Sequence, residues 1–241
     1  MKYLLFAHMV QRPEEDIDLG AAALLIAEEE YPGLDVASYV QKLDRIASGV
    51  RKRLPSRAPA QEPAAAIQAL NGQIFEEEAF HGNQKDYYDP RNSFLNEVID
   101  RKTGIPVTMS ILYMEVARRI GFDIEGVGFP GHFLVKHVGE RKQTIVIDPF
   151  FGGRTLDADD LRQMLSSIHG RAMPLEQRHL LSVGKKQILS RLLHNLRSVY
   201  SDRGDSQRAM VAIDRLLILD PEDAQALQER DEIHSIDKRT N

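Results

Sequence analysis

The chain has 241 residues, of which 42% are hydrophobic and 28% charged, with a formal net charge of −5. That composition is ordinary for a soluble globular protein, and its acidic balance argues against general nucleic-acid affinity, which needs a basic surface. Cysteine is absent, which excludes disulfides, thiolate zinc sites and cysteine nucleophiles together.

The first stretch, "YLLFAHMV", is too short to cross a bilayer and lacks a small-residue cleavage site. It is expected to be a buried helix or strand end in a cytoplasmic protein with no membrane partner. "DIDLGAAALLIAEEEYPG" is rich in helix formers and halts at Pro32-Gly33. In the next segment Leu34, Val36, Tyr39, Val40, Leu43, Ile46 and Val50 recur at helical spacing. Pro55, Pro59 and Pro63 punctuate a linker, and Pro63 is expected to start a helix over "PAAAIQALNGQIFEEEAF".

"HGNQKDYYDPRNSFL" is turn-rich. After it, Asn92 or Ser93 is expected to cap a helix over "FLNEVIDRKT" that Gly104 ends. Pro106 then opens "VTMSILYMEVARRIG", apolar on most faces and so read as the central buried helix. Beyond Gly121 the period changes: "FDIEGVGF", "HFLVKHV" and "QTIVIDPF" read as three strands, followed by a helix that Asp157 caps. Helices, then strands, then helices make the fold class α+β, not alternating βαβ units. In the last sixty residues Leu196, Tyr200, Gly204, Ala209, Ile213, Leu216 and Pro221 sit at offsets similar to a tetratricopeptide repeat. One repeat cannot bury its own face, so it must pack on the preceding domain or on another chain.

Three residue sets have chemistry in reach. The helix start from Pro106 to Ser110 offers free backbone N–H groups, His132 lies at the mouth of a strand, and Asp148 ends the next strand, placed to orient the imidazole. A nucleophile at a helix start, a base on one strand and a carboxylate on the next is an acyl-transfer layout. Thr108 and Ser110 are the hydroxyls in the right place, and they read equally as first-turn capping groups. His132 with Asp148 reads equally as a structural pair holding two strands together. Asn83, Tyr87, Tyr88, Asp89, Asn92 and Asn96 form either the rim of a cleft facing His132 or a loop tied down by Asx-turns and tyrosine packing. His137 is odd-spaced from His132 and points to the other sheet face. Glu76, Glu77, Glu78, Asp86 and Asp89 read as solvated or turn carboxylates, so no metal site is built from them. No nucleotide, phosphate-loop or zinc-protease motif occurs, and no cofactor is expected.

The stretch "YYDPRNSFLNEVIDRKTGIPVTMSILYMEVARRIGFDIEGVGFPGHFLVK" closely resembles the transglutaminase-like core of the bacterial Sir-B-one type family. The resemblance implies a helical N-terminal region (1–60), a papain-like core with its central helix on a small antiparallel sheet (61–180), and tetratricopeptide-like helices (181–241). It also places His132 and Asp148 on the histidine and aspartate of a Cys-His-Asp triad. The cysteine position falls at or beside Pro106, which has neither a proton to give nor an atom to attack with. The expectation is therefore a non-catalytic protein-interaction or regulatory module with an unnamed protein or peptide partner. The alternative is an amide or ester hydrolase, or an acyl transferase, using Thr108 or Ser110 with His132 and Asp148.

Overall fold

The computed structural model describes residues 3–55, 59–139 and 143–240, with side chains to residue 235. The N-terminal helices are α1 (Leu4–Val10), α2 (Leu19–Ile26), α3 (Val36–Arg53) and α4 (Pro63–Asn71). Asp18 and Asp35 cap α2 and α3 by accepting the N–H groups of Ala21 (2.9 Å) and Ser38 (3.1 Å), each satisfying a donor that has no partner inside the helix. The second helix is shorter than its composition suggests. It stops at Ile26 rather than at Pro32, and the chain turns so that the Tyr31 ring meets Phe94 edge-on at 5.6 Å. Pro63 does open α4, and the helix then widens into a π-helical turn at Gly72–Glu77.

The turn-rich stretch carries β1 (His81–Gly82), a 3-10 turn at Pro90–Ser93, helix α5 (Leu95–Arg101) and β2 (Thr103–Gly104), which pairs in parallel with β1. Two capping expectations are corrected here. Phe94, not Asn92 or Ser93, sits at the N-cap of α5, and Lys102 in the left-handed region (φ 59°) ends it, not Gly104. Gly104 is needed for another reason: a Cβ there would stand 2.6 Å from the Thr108 hydroxyl.

Pro106 opens α6 (Pro106–Arg119), the central helix, buried along nearly its whole length. Strands β3 (Glu125–Val127), β4 (Leu134–Val138), β5 (Thr144–Asp148), β6 (Arg154–Leu156) and β7 (Ser182–Val183) form one antiparallel sheet in the order β6-β5-β4-β3-β7. Helix α7 (Ala158–His169), capped by Asp157 as expected, lies between β6 and β7 in the chain. The sheet divides its apolar side chains by the two-residue period of a strand. Val135 and Ile147 join the main core with α6, while their neighbours Leu134 and Val146 join a smaller one with Leu161 and Leu165 of α7. Each such fully buried aliphatic side chain contributes about 1.5–3 kcal/mol.

The C-terminal part is a helical hairpin of α8 (Lys185–Asp202) and α9 (Ser206–Leu219), followed by α10 (Ala224–Thr240). Gly204 makes the turn at φ 70°, a conformation that favours glycine, and buried Ala209 lies on the packed face of α9. Ile188, Leu189, Leu192 and Leu193 of α8 share the main core with α2 and α6. The hairpin therefore buries its face against the rest of the chain.

Candidate functional site

The short sequence "FPGH" sets the position of His132. Phe129 O accepts the His132 N–H at 3.0 Å, and Gly131 has φ 65°. Pro130 and Gly131 occupy the two central positions of a tight turn in which proline presets the first and glycine allows positive φ at the second. His132 emerges two residues before β4. Because β4 and β5 pair with Val135 opposite Ile147, the end of β5 lies beside that emergence, and Asp148 meets the imidazole there. His132 Nε2 lies 3.1 and 3.2 Å from the two carboxylate oxygens.

Asp148 is fully buried and has a second task. Its Oδ1 accepts the N–H groups of Phe150 (3.1 Å) and Phe151 (3.4 Å), starting the 3-10 turn at Pro149–Phe151. A carboxylate that accepts backbone donors and a ring nitrogen is fixed in orientation, and it fixes the ring in turn. The imidazole packs against two aromatic rings, edge-on to Phe150 at 5.8 Å and stacked on Phe151 at 6.0 Å. Its side chain is 11% exposed, and Nδ1 has no hydrogen-bond partner among the described residues.

The turn after β5 is clamped to the helices. The Asn71 side-chain amide donates to Gly153 O (2.8 Å), and its oxygen accepts the Tyr113 hydroxyl (3.1 Å). On the other side β1 presses on Phe150: a Cβ on Gly82 would come within 2.5 Å of both the Phe150 carbonyl oxygen and its ring. The His132–Asp148 pair is thus held from three directions by elements far apart in sequence.

The helix start has its own set of contacts, and β1 links it to the site: Gly82 lies against Phe150, and the Asn83 N–H donates to Gly104 O at 2.8 Å. Ile105, Pro106, Val107, Thr108, Met109 and Ser110 are all buried. The Thr108 hydroxyl accepts the Ile105 N–H (3.0 Å) and stands 2.8 Å from Asn92 O, to which it donates. Ser110 Oγ is buried with no hydrogen-bond partner, and neither hydroxyl is bonded to His132. Pro106 has no N–H and Ile105 gives its own to Thr108, so only Val107 and Thr108 keep first-turn amides without a helical acceptor.

The polar stretch before α6 separates into two groups. Asn83 donates to Asn92 Oδ1 (3.0 Å) and accepts the Asp86 N–H (2.9 Å), and Asn92 donates to Asp86 O (2.7 Å). Asp89 caps the turn at Pro90, pairs with Arg91 through Oδ2 (2.7 Å) and lies 3.3 Å from Arg101. Burial raises the Asp89 carboxyl, but the hydrogen bonds from Arg91 and the Arg101 charge outweigh it, so the group is held below the usual carboxylate range. Asn92, Asp89 and Asn96 are buried; Asn92 and Asp89 tie the loop down, whereas Asn96 lies in α5 with its Oδ1 lacking a hydrogen-bond partner among the described residues. Tyr87 and Tyr88 are exposed, and Tyr87 packs on Phe150 at 6.2 Å. They reach the His132 site through Phe150, with Tyr88 one ring further out against Tyr87. Phe150 and Phe151, which make the wall of the site, were legible in the sequence only as the end of a strand. Their position after Asp148-Pro149 was the available signal.

Nothing in the site converges on a metal: among the described residues no group of three His, Asp or Glu side chains is placed to hold one. Nor is any helix among them long and apolar enough to cross a membrane.

The sequence pattern of the transglutaminase-like superfamily matches residues 37–194. A UPF0162 protein of Xylella fastidiosa (strain 9a5c) is 38% identical over 221 residues, covering 90% of this chain and 77% of that protein. UPF0162 protein PA3419 of Pseudomonas aeruginosa is 30% identical over 208 residues, covering 86% of this chain and 74% of the other. Human F-box only protein 21 is 28% identical over 212 residues, which are 80% of this chain but 33% of that protein.

Proposed function

Since the chain belongs to the transglutaminase-like superfamily and groups with the UPF0162 proteins, we propose that it is a non-catalytic member that uses the His132 cleft as a recognition surface for a protein or peptide. The observation that carries this reading is the state of the two hydroxyls. Thr108 spends its proton on Asn92 O and its lone pair on Ile105 N–H, and Ser110 is fully buried with no hydrogen bond to His132. A general base activates only a proton within about 3 Å, directly or through one water. His132 has its orienting carboxylate and no protein nucleophile.

The C-terminal helices α8 to α10 are read as tetratricopeptide-like, closing the same core and stiffening the cleft from behind. A stretch of similar sequence makes up a third of human F-box only protein 21, which suits a module that is carried within a longer chain.

The hydrolase alternative keeps Thr108 or Ser110 as nucleophile, His132 as base and Asp148 as orienter. Incubation with a fluorophosphonate probe separates the two. No labelling above the His132→Ala background is expected. Labelling of Thr108 or Ser110 that disappears in His132→Ala would replace the recognition reading by the hydrolase. A complementary variant, Pro106→Cys, puts a thiol where the resemblance places the triad cysteine, at or beside that residue. Faster alkylation by iodoacetamide that depends on His132 is expected if the cleft has otherwise kept its shape. Alkylation at the rate of a free thiol, unchanged by His132→Ala, would mean that residue 106 does not face the imidazole.

A further inference from the structure

The rings around His132 extend beyond it in both directions and end on arginines. Phe151 meets Phe150 at 5.0 Å, Phe150 meets Tyr87 at 6.2 Å, and Tyr87 meets Tyr88 at 5.3 Å. Phe151, Tyr87 and Tyr88 are exposed by 43, 37 and 67%, unusual for large rings that touch one another. At one end the Arg154 guanidinium lies 5.4 Å from the Phe151 ring centre. At the other, Arg191 of α8 lies close enough to act electrostatically on the Tyr87 hydroxyl, and Arg203 donates to Tyr88 O at 3.0 Å. Arg154, Arg191 and Arg203 are all exposed, and among the described residues none is in a salt bridge with a carboxylate. Lys85 is likewise exposed and unbridged.

That arrangement runs against the rest of the molecule. The chain carries a net charge of −5, yet its exposed aromatic band is flanked by cations. Asp148 is engaged with His132, and Asp89 with Arg91 and Arg101, while the exposed Asp86 beside Tyr87 is accompanied by the exposed cations Lys85 and Arg203. Aromatic rings with arginine are the composition of a contact surface, where rigid rings supply area and the guanidinium supplies directed hydrogen bonds. The charge sign selects the partner. Uncommitted guanidinium groups at both ends attract carboxylates, and the acidic remainder of the surface discourages an acidic partner from landing elsewhere.

We propose that the occupant of the His132 cleft is an acidic peptide segment of a partner protein, laid over Tyr87, Phe150 and Phe151 with carboxylates on Arg154 and Arg191. This rests on the recognition reading above and adds the chemical class of the partner. From Arg154 to Tyr87 the steps of 5.4, 5.0 and 6.2 Å are spanned by an extended segment of about five residues. A partner of this kind binds more weakly as salt rises, because exposed pairs are screened beyond about 10 Å at 0.1 M.

The test is selection of a random peptide library on the full-length immobilised chain, run side by side on wild type, on Arg154→Glu/Arg191→Glu and on Tyr87→Ser/Phe151→Ser. Wild type is expected to select peptides with at least about a twofold excess of Asp and Glu within five-residue windows. Synthetic copies should bind about tenfold more weakly to each double variant, and less tightly at 0.5 M than at 0.1 M salt. All four substituted residues are exposed, and thermal melts establish that both variants fold. Selected peptides without acidic excess, lost in the Tyr87/Phe151 variant but kept in the charge-reversed one, would overturn the acidic partner and leave the recognition reading standing. Peptides that bind all three proteins alike would overturn the site itself. Fluorophosphonate labelling that depends on His132 would instead remove the recognition reading beneath the proposal.

Discussion

The start of α6 and the end of the β4–β5 pair where His132 meets Asp148 are the two halves of one expected constellation, and they differ in almost every physical respect. The helix start is buried from Ile105 to Ser110, and its one bonded hydroxyl is consumed by backbone partners. The strand end keeps a carboxyl group and an imidazole in contact, partly open to solvent, with a ring nitrogen that has no partner among the described residues. Core packing has absorbed the first and preserved the second as a polar feature. Burying a carboxyl group such as Asp148 is costly unless its oxygens are hydrogen-bonded. Here the His132 ring and two backbone amides meet them, with both amides on Oδ1.

The largest expected effect strikes the strand end. Asp148→Ala leaves the Phe150 amide and the His132 ring without an acceptor in a buried setting, which costs about 2–4 kcal/mol. For a chain of this size that lowers Tm by about 5–15 °C, readable by calorimetry. A drop under about 2 °C would show that the pair contributes little to the fold. Next comes Gly82→Ala, whose Cβ meets a backbone carbonyl that cannot rotate away. A loss of about 1–3 kcal/mol in urea denaturation is expected.

The helix start is probed by two hydroxyls predicted to behave oppositely. Thr108→Ala removes the acceptor for Ile105 N–H and the donor to Asn92 O, costing about 1–2 kcal/mol. Ser110→Ala removes a buried hydroxyl with no partner and should change stability by no more than about 0.5 kcal/mol, in either direction. Equal losses in the two variants would erase the distinction between a committed and an idle hydroxyl.

The smallest effect is acid sensitivity. The Asp89 carboxyl titrates lower in the folded chain than in the unfolded one, where it sits near 4. Its ionised form therefore contributes stability that is fully present above about pH 4 and is lost as pH falls through the lowered folded value. Asp89→Asn should flatten the acid limb of the stability curve below about pH 4 and leave its slope near neutrality unchanged. An unaltered acid limb would show that Arg91 and Arg101 do not hold the carboxylate in solution.

Local sequence determined a good deal. The 3.6-residue spacing in α3 put Leu43, Ile46 and Val50 in the core, Pro63 and Pro106 opened their helices, and Gly204 turned the final hairpin, because each reflects a backbone preference that neighbours do not overrule. The His132–Asp148 pairing was legible too, as two strands with polar residues at matching ends. What only the tertiary structure decided was which polar groups are spent. Asn92, read as a cap or a rim residue, is buried by Asn83, the Asp86 carbonyl and Thr108. Gly104 is small because Thr108 packs on it. The aromatic band is assembled from rings at positions 87, 88, 150 and 151 and bounded by Arg154 and Arg191, from segments that meet only when the sheet, the turn-rich loop and α8 close on one core. Contacts such as that of Tyr87 with Phe150 leave no periodic trace in a sequence, and even the nearby partners of Asn92 are fixed only once the loop is packed. Such partners are set by how the layers pack, not by the chemistry of either residue alone.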